Sequence, residues 1–145
     1  MTNSYEMVKE FHETFGHPVG AEPLIPTADR VKLRLALILE EAAELAEAMG
    51  YDGEIVRDAT DIMFEVGTVQ HGDLVPAIDA LGDLEYVVNG AAIEYGVHLP
   101  TAVEEIHRSN MTKLGPDGKP IYREDGKILK GEDYEPPNIA RALGL

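Results

Sequence analysis

Cysteine is absent from all 145 residues, which excludes disulfides, cysteine-ligated zinc and thiol catalysis. Positive charge is scarce: twelve Lys and Arg stand against 27 Asp and Glu, for a net charge of −15. That field repels nucleic acid and anionic membrane, and a protein so charged that handles a polyanion needs cations between the two. No apolar run approaches the ~18 residues needed to span a bilayer. The N-terminal MTNSYEMVKEFHE lacks the apolar core of a secretion signal. Repeats and low-complexity tracts are missing. The turns GPDG and EDG do not make a phosphate loop, which needs GxxxxGK[ST], and no EF-hand spacing occurs. With 44% hydrophobic residues the chain is nonetheless globular. The expectation is a soluble cytoplasmic protein with no nucleic-acid or membrane partner.

What is present reads as helix. Residues 3–16 carry Met7, Val8, Phe11 and Phe15 as an apolar stripe behind a cap at Asn3 or Ser4, and Gly16 and Pro18 stop it. GHPVGAEPLIP is a loop. A helix over about 28–49 follows, with Thr27 as N-cap and Gly50 as stop; its neighbours predict that most of it is buried. Residues 51–72 mix helical and strand signals. A helix over about 74–95 begins at Asp73 with Pro76 in its first turn. Another, over about 102–113, opens with Pro100 and a capping box Thr101–Glu104. After Leu114, two Asp-Gly turns and four prolines suggest a hairpin or ordered coil. The reading is all-α: one domain over 1–145, with a helical bundle over about 3–114 and a tail over about 115–145.

The chemistry sits in LALILEEAAELAEAMG. A helix turns about 100° per residue, so Glu40, Glu41 and Glu44 converge on one side. Arg30 and Arg34 share the stripe of Glu41, two to three turns earlier. In VPAIDALGDLEYVVNGAA, Asp79 and Asp83 stand at i and i+4, and Tyr86 continues their face. If the two helices pack antiparallel, five carboxylates face one point. Carboxylates crowded together repel, and burial raises their pKa. A bound cation relieves this, and oxygen-only ligands favour Mg²⁺, Mn²⁺ or Ca²⁺ over zinc. The bland alternative is a pair of solvated acidic faces, since Glu is a strong helix former. Asp58, Asp61 and Glu65 form a rival cluster that reads as such a face.

These segments resemble the all-α nucleoside triphosphate pyrophosphohydrolases, the MazG-like and phosphoribosyl-ATP pyrophosphohydrolase-like group. The resemblance runs from FHETFGHPV through LILEEAAELAEAM and DALGDLEYVVNGAAIEYG to EIHRSNMTKLGPDGKPIYREDGKILKGEDYEPPNI, the last like the tails of small, phage-type members. It implies an α-helical fold, a homodimer or homotetramer, and Mg²⁺-dependent cleavage between the α and β phosphates, with Mn²⁺ as a substitute. Glu40, Glu41 and Glu44 match the family's EExxE, and Asp83 the aspartate of its ExxD. Ala80 stands where that motif has glutamate, and Asp79 is inferred to replace it. The implied metal ligands are Glu41, Glu44, Asp79 and Asp83, with Glu40 orienting or deprotonating the attacking water; exchanging Glu40 and Glu41 fits equally well.

Lys113, Lys119, Arg123, Lys127 and Lys130 are candidate triphosphate contacts, each with solvated lysine or arginine as its alternative. Arg34 either reaches phosphate or pairs with a glutamate. Asn110 can read a base or sugar edge through its amide. Tyr86 can stack on a base, whereas Phe11 suits the core. His12, His17, His71 and His98 show no ligand spacing and read as loop or surface residues; His107 reads as a helix-face residue. The leading function is hydrolysis of a dNTP to dNMP and pyrophosphate for nucleotide-pool control, with dGTP and dUTP among the candidate substrates. The alternatives are a phosphoribosyl-ATP pyrophosphohydrolase and a non-enzymatic acidic helical interaction module.

Overall fold

A computed structural model describes residues 3–51, 73–124 and 126–145. The ambiguous segment from residue 52 onward, with Asp58, Asp61, Glu65 and His71, lies outside the described residues. Regular structure among the described residues is helical: α1 (Ser4–Phe15), α2 (Ala28–Ala48), α3 (Leu74–Glu94), α4 (Leu99–Met111) and α5 (Ile139–Leu143). Tyr122 and Ile128 add an isolated antiparallel bridge. The chain divides into two compact units, Met1–Gly96 and Val97–Leu145. Among the described residues no helix is long and apolar enough to cross a membrane.

In the first unit, Asn3 Oδ1 accepts the Glu6 N–H at 2.9 Å and so caps α1; Gly16, at φ 70°, ends it. The buried line of α1 is Tyr5, Val8 and His12, not the expected stripe: Met7 and Phe15 are exposed. His12 is only 1% exposed, which corrects the surface reading. A histidine can occupy that position because its Nδ1 bonds the Pro18 carbonyl at 2.9 Å.

Thr27 stands at the N-cap of α2 but makes no side-chain cap bond, and the same holds for Asp73 at α3. The expectation that most of α2 is buried fails. Arg34 alone reaches full burial on that helix, while Leu33, Leu35 and Leu39 are exposed. Among the described residues α2 packs chiefly against α3, which also packs against α1.

Loop 16–27 is tied to the end of α3 by backbone bonds. The Gly20 N–H donates to Ile93 O at 2.9 Å and the Leu24 N–H to Tyr95 O at 3.0 Å. The approach is close enough that a Cβ on Gly96, at φ +68°, would stand 2.2 Å from the Glu22 carbonyl oxygen. Only glycine fits there, on conformational and steric grounds alike.

In the second unit, α4 begins at Leu99 with His98 as N-cap, so Thr101–Glu104 does not form the expected capping box. Pro100 is comfortable in the first turn, where no N–H donor is needed, and the helix starts ahead of it. Thr101 Oγ1 instead meets His98 Nδ1 at 2.8 Å. The chain after α4 makes a hairpin: Arg123 N–H donates to Lys127 O, and Leu129 N–H to Ile121 O, both at 2.8 Å. The short α5 packs on α4 and is capped by Asn138 Oδ1, 3.0 Å from the Arg141 nitrogen. A polar clasp joins these pieces. Arg108 holds Glu105 through two bonds of 2.9 Å and Glu135 through a third of 2.9 Å. Glu105 also accepts the Asn138 N–H at 2.8 Å. The hydrogen bonds from Arg108 and Asn138 pull the Glu105 carboxyl down to about 2.

Candidate active site

The helix pair of the first unit runs antiparallel, as two opposite ends show. Arg30 and Arg34, early on α2, meet Glu94 at the end of α3. Glu44 and Glu47, late on α2, line one cleft of about 470 Å³ with Pro76, Asp79 and Asp83 from the start of α3. The same helical stripe carries Arg30, Arg34 and Glu41, so Glu41 faces α3 between these ends.

Glu41 feels every other member of the expected set. Its burial raises its pKa first, followed by repulsion from Glu44, Asp83, Glu40 and Asp79. Its Oε2 is buried with no hydrogen-bond partner. Glu40, Glu44, Asp79 and Asp83 are exposed. Among the described residues no three His, Asp or Glu side chains already stand close enough to hold a metal ion. The donor set itself suits a hard divalent cation: every donor is oxygen, one is buried and orphaned, and the mutual repulsion is of the kind that a cation removes.

Arg34 takes the second of its two expected courses. It is 6% exposed, and its Nε stands 2.8 Å from Glu94 Oε2 as an ion pair, although the N–H is not aligned on that oxygen as a hydrogen bond. Arg30 reaches Glu94 Oε1 through Nε at 3.0 Å and again through Nη2. Room for the Arg34 guanidinium comes from Gly90, where a Cβ would stand 2.5 Å from Nη1. Tyr86, one turn beyond Asp83, is 39% exposed, and its ring meets Phe11 edge-on with centroids 5.6 Å apart. Tyr86, Asp79 and Asp83 also line a second, larger cleft of about 920 Å³.

The remaining expected contacts belong to the second unit. Asn110 is exposed near the end of α4 and Lys113 is half-buried just after it. Lys119, Arg123, Lys127 and Lys130 are exposed along the hairpin, with Lys130 Nζ 4.6 Å from the centre of the Tyr134 ring.

Three residues escaped the sequence reading. Glu94 is the acceptor of both arginines; Arg30 and Arg34 at i, i+4 on a buried stripe signal such an acid, without saying which. Glu47 lines the carboxylate cleft, and its i+3 spacing from Glu44 was a usable sign. His12 is buried beside Arg34 and Glu94, and no local pattern announces that.

Comparison with known proteins follows this geometry. The family model described as phosphoribosyl-ATP pyrophosphohydrolase matches residues 8–110, which span most of α1, all of α2 and α3, and nearly all of α4. Uncharacterized protein L479 of Acanthamoeba polyphaga mimivirus is 28% identical over 139 residues, covering 91% of this chain and 45% of the relative. The chain thus spans a little under half the length of that relative. A crystal structure of a candidate NTP pyrophosphohydrolase from Exiguobacterium sp. 255-15 is 28% identical, covering 99% of this chain and 95% of the other, with a TM-score of 0.46. Both carboxylate motifs lie inside the matched span of the family model, and the chain belongs to the phosphoribosyl-ATP pyrophosphohydrolase family of all-α pyrophosphohydrolases.

Proposed function

We propose that the chain is a divalent-metal-dependent nucleoside triphosphate pyrophosphohydrolase that converts a dNTP and water to the dNMP and pyrophosphate. The observation that carries this reading is the cleft between α2 and α3 that Glu44, Asp79 and Asp83 line, with Glu41 raised by burial and by repulsion from Glu44, Asp83, Glu40 and Asp79. Glu41, Glu44, Asp79 and Asp83 would hold the metal, Mg²⁺ first and Mn²⁺ as a substitute. The metal supplies neutralisation of the charge that develops on the phosphates. Glu40 orients the attacking water and accepts its proton as it adds to the α-phosphorus, and pyrophosphate leaves. Tyr86, Asn110, Lys113, Lys119, Arg123, Lys127 and Lys130 are the substrate contacts of this reading. Arg34 serves it by holding Glu94. Assembly into a homodimer or homotetramer is part of the proposal, supported by the exposed Leu33, Leu35 and Leu39 on α2. So is action in the cytoplasm.

Hydrolysis of phosphoribosyl-ATP is the second reading, favoured by the match to that family's model. It uses the same carboxylates on a larger substrate. Pyrophosphate release tests both, measured on all rNTPs and dNTPs and on phosphoribosyl-ATP, with Mg²⁺, with Mn²⁺ and with EDTA. Metal-dependent release from one or two dNTPs is the expected result, dGTP and dUTP being the first to try. Release from phosphoribosyl-ATP alone moves the assignment to the second reading, and silence throughout defeats both.

A further inference from the structure

α3 has two glycines in its interior, and both weaken the helix, since glycine is among the poorest helix formers. Gly90 is accounted for by packing: a Cβ there would stand 2.5 Å from Arg34 Nη1 and 3.1 Å from His12 Nε2. Gly82 has no such partner. Among the described residues, a Cβ on Gly82 would meet nothing within 4 Å. The helix therefore keeps bare backbone at a place where the described residues need no room.

The surroundings say what the room suits. Gly82 lines the larger cleft, in a row with Val75, Ile78 and Tyr86 at helical spacing along one face of α3. Val75 is 75% exposed and Ile78 59% exposed. Tyr86 closes the row, its ring held edge-on by Phe11. The result is a flat apolar ledge with a fixed aromatic wall and a bare floor. Asp79 and Asp83 flank it, and with Pro76 they also line the carboxylate cleft.

We propose that this ledge seats the nucleobase of the substrate, with Gly82 admitting the ring against the α3 backbone and Tyr86 stacking on it or bounding it. The proposal rests on the pyrophosphohydrolase reading above. The two clefts share Pro76, Asp79 and Asp83 in their linings. A ligand whose phosphates engage those carboxylates therefore has the ledge within reach of its base. A helix of a second copy seated here would cover the same two aspartates. Aromatic and apolar surface beside a few fixed polar groups is the usual makeup of a base site.

The test is Gly82→Ala, with Tyr86→Leu as companion. Binding of the four non-hydrolysable α,β-methylene dNTPs is measured by calorimetry in Mg²⁺, and binding of inorganic tripolyphosphate, which has no base, serves as control. Tm and solution mass are recorded for each variant. Gly82→Ala is expected to keep or raise Tm, because alanine favours the helix. It should weaken the nucleotide analogues about tenfold, as one added methyl in a close pocket does, and leave tripolyphosphate unchanged. Tyr86→Leu should show the same selectivity. Three results overturn the seat: nucleotide affinity unchanged in Gly82→Ala, tripolyphosphate weakened equally, or a fall in solution mass that assigns the ledge to a second copy. Wild-type protein that binds tripolyphosphate and the nucleotide analogues equally also overturns it, while leaving the pyrophosphohydrolase reading intact. Wild-type protein that binds neither defeats both.

Discussion

A single carboxyl, Glu41, carries the clearest sign of purpose at the residue scale. Burial and four like charges raise its pKa, and one of its oxygens is buried without a partner. A group whose folded pKa lies above its unfolded value binds its proton more tightly when folded. It therefore costs stability at neutral pH, and the cost disappears as pH falls through the raised value toward the ordinary 4.5. In EDTA, Glu41→Gln should melt above wild type at pH 7, and the gap should close as the buffer approaches pH 4.5; thermal melts across that range check it. Glu44 is the residue for activity. Replacing it with alanine should lower metal-dependent turnover by about 100-fold or more, the usual scale for losing a group that stabilises the transition state. The same variant should melt no lower than wild type without metal, because a repelling charge has gone. An acidic interaction module would give no turnover to lose.

At the scale of elements, the α2–α3 pair is an arrangement of opposites. Five repelling carboxylates stand toward one end, and the Arg30–Glu94–Arg34 cluster clamps the other. The Glu94 side chain is fully buried and that of Arg34 is 7% exposed. Removing one partner from such a cluster strands a buried charge, so Glu94→Ala should cost about 3 kcal/mol or more, read from urea unfolding followed by circular dichroism. Glu94→Gln, which keeps an oxygen for the arginines, should cost less. The clasp of the second unit behaves differently because it is exposed. Glu105, pulled down to about 2, lends stability that is fully present above the ordinary carboxylate range and is lost as pH falls through about 2. Side-chain carboxyl NMR should find Glu105 titrating near pH 2, and Arg108→Ala should return it toward 4.5. The helices themselves were largely legible, since caps, stops and periodicity are local signals: α1, α2 and α3 stand within a residue or two of expectation. The start of α4 was not, because two capping signals competed and the proline won. The short α5 was missed, being too brief for any period to show.

Charge is the property of the whole molecule that matters most. Residues 1–96 hold five Lys and Arg against nineteen Asp and Glu, whereas residues 97–145 hold seven against eight. Nearly all of the net charge of −15 therefore lies in residues 1–96, the part of the chain that holds the carboxylate helices. A triphosphate approaches such a surface only with cations between. Millimolar MgCl₂ or MnCl₂ should raise the Tm of the wild-type chain, by about 2.7 kcal/mol of stability at a hundred times Kd. Glu44→Ala should lose most of that rise. Differential scanning fluorimetry with NaCl at matched ionic strength separates metal binding from screening.

The sequence by itself determined the helical class, the acidic character and the identity of the five carboxylates. Each of these is written in composition or in spacing along one helix, where an i, i+3, i+4 pattern fixes a shared face wherever that helix ends up. Tertiary structure alone decided what those faces meet. Only the packed helices match Arg30 and Arg34 to Glu94, bury His12 of α1 against the loop at Pro18 and against Gly90 of α3, and show that Gly90 makes room for a guanidinium while Gly82 makes room for nothing described. Pairing between residues sixty positions apart depends on the register of two surfaces, and no local pattern encodes a register.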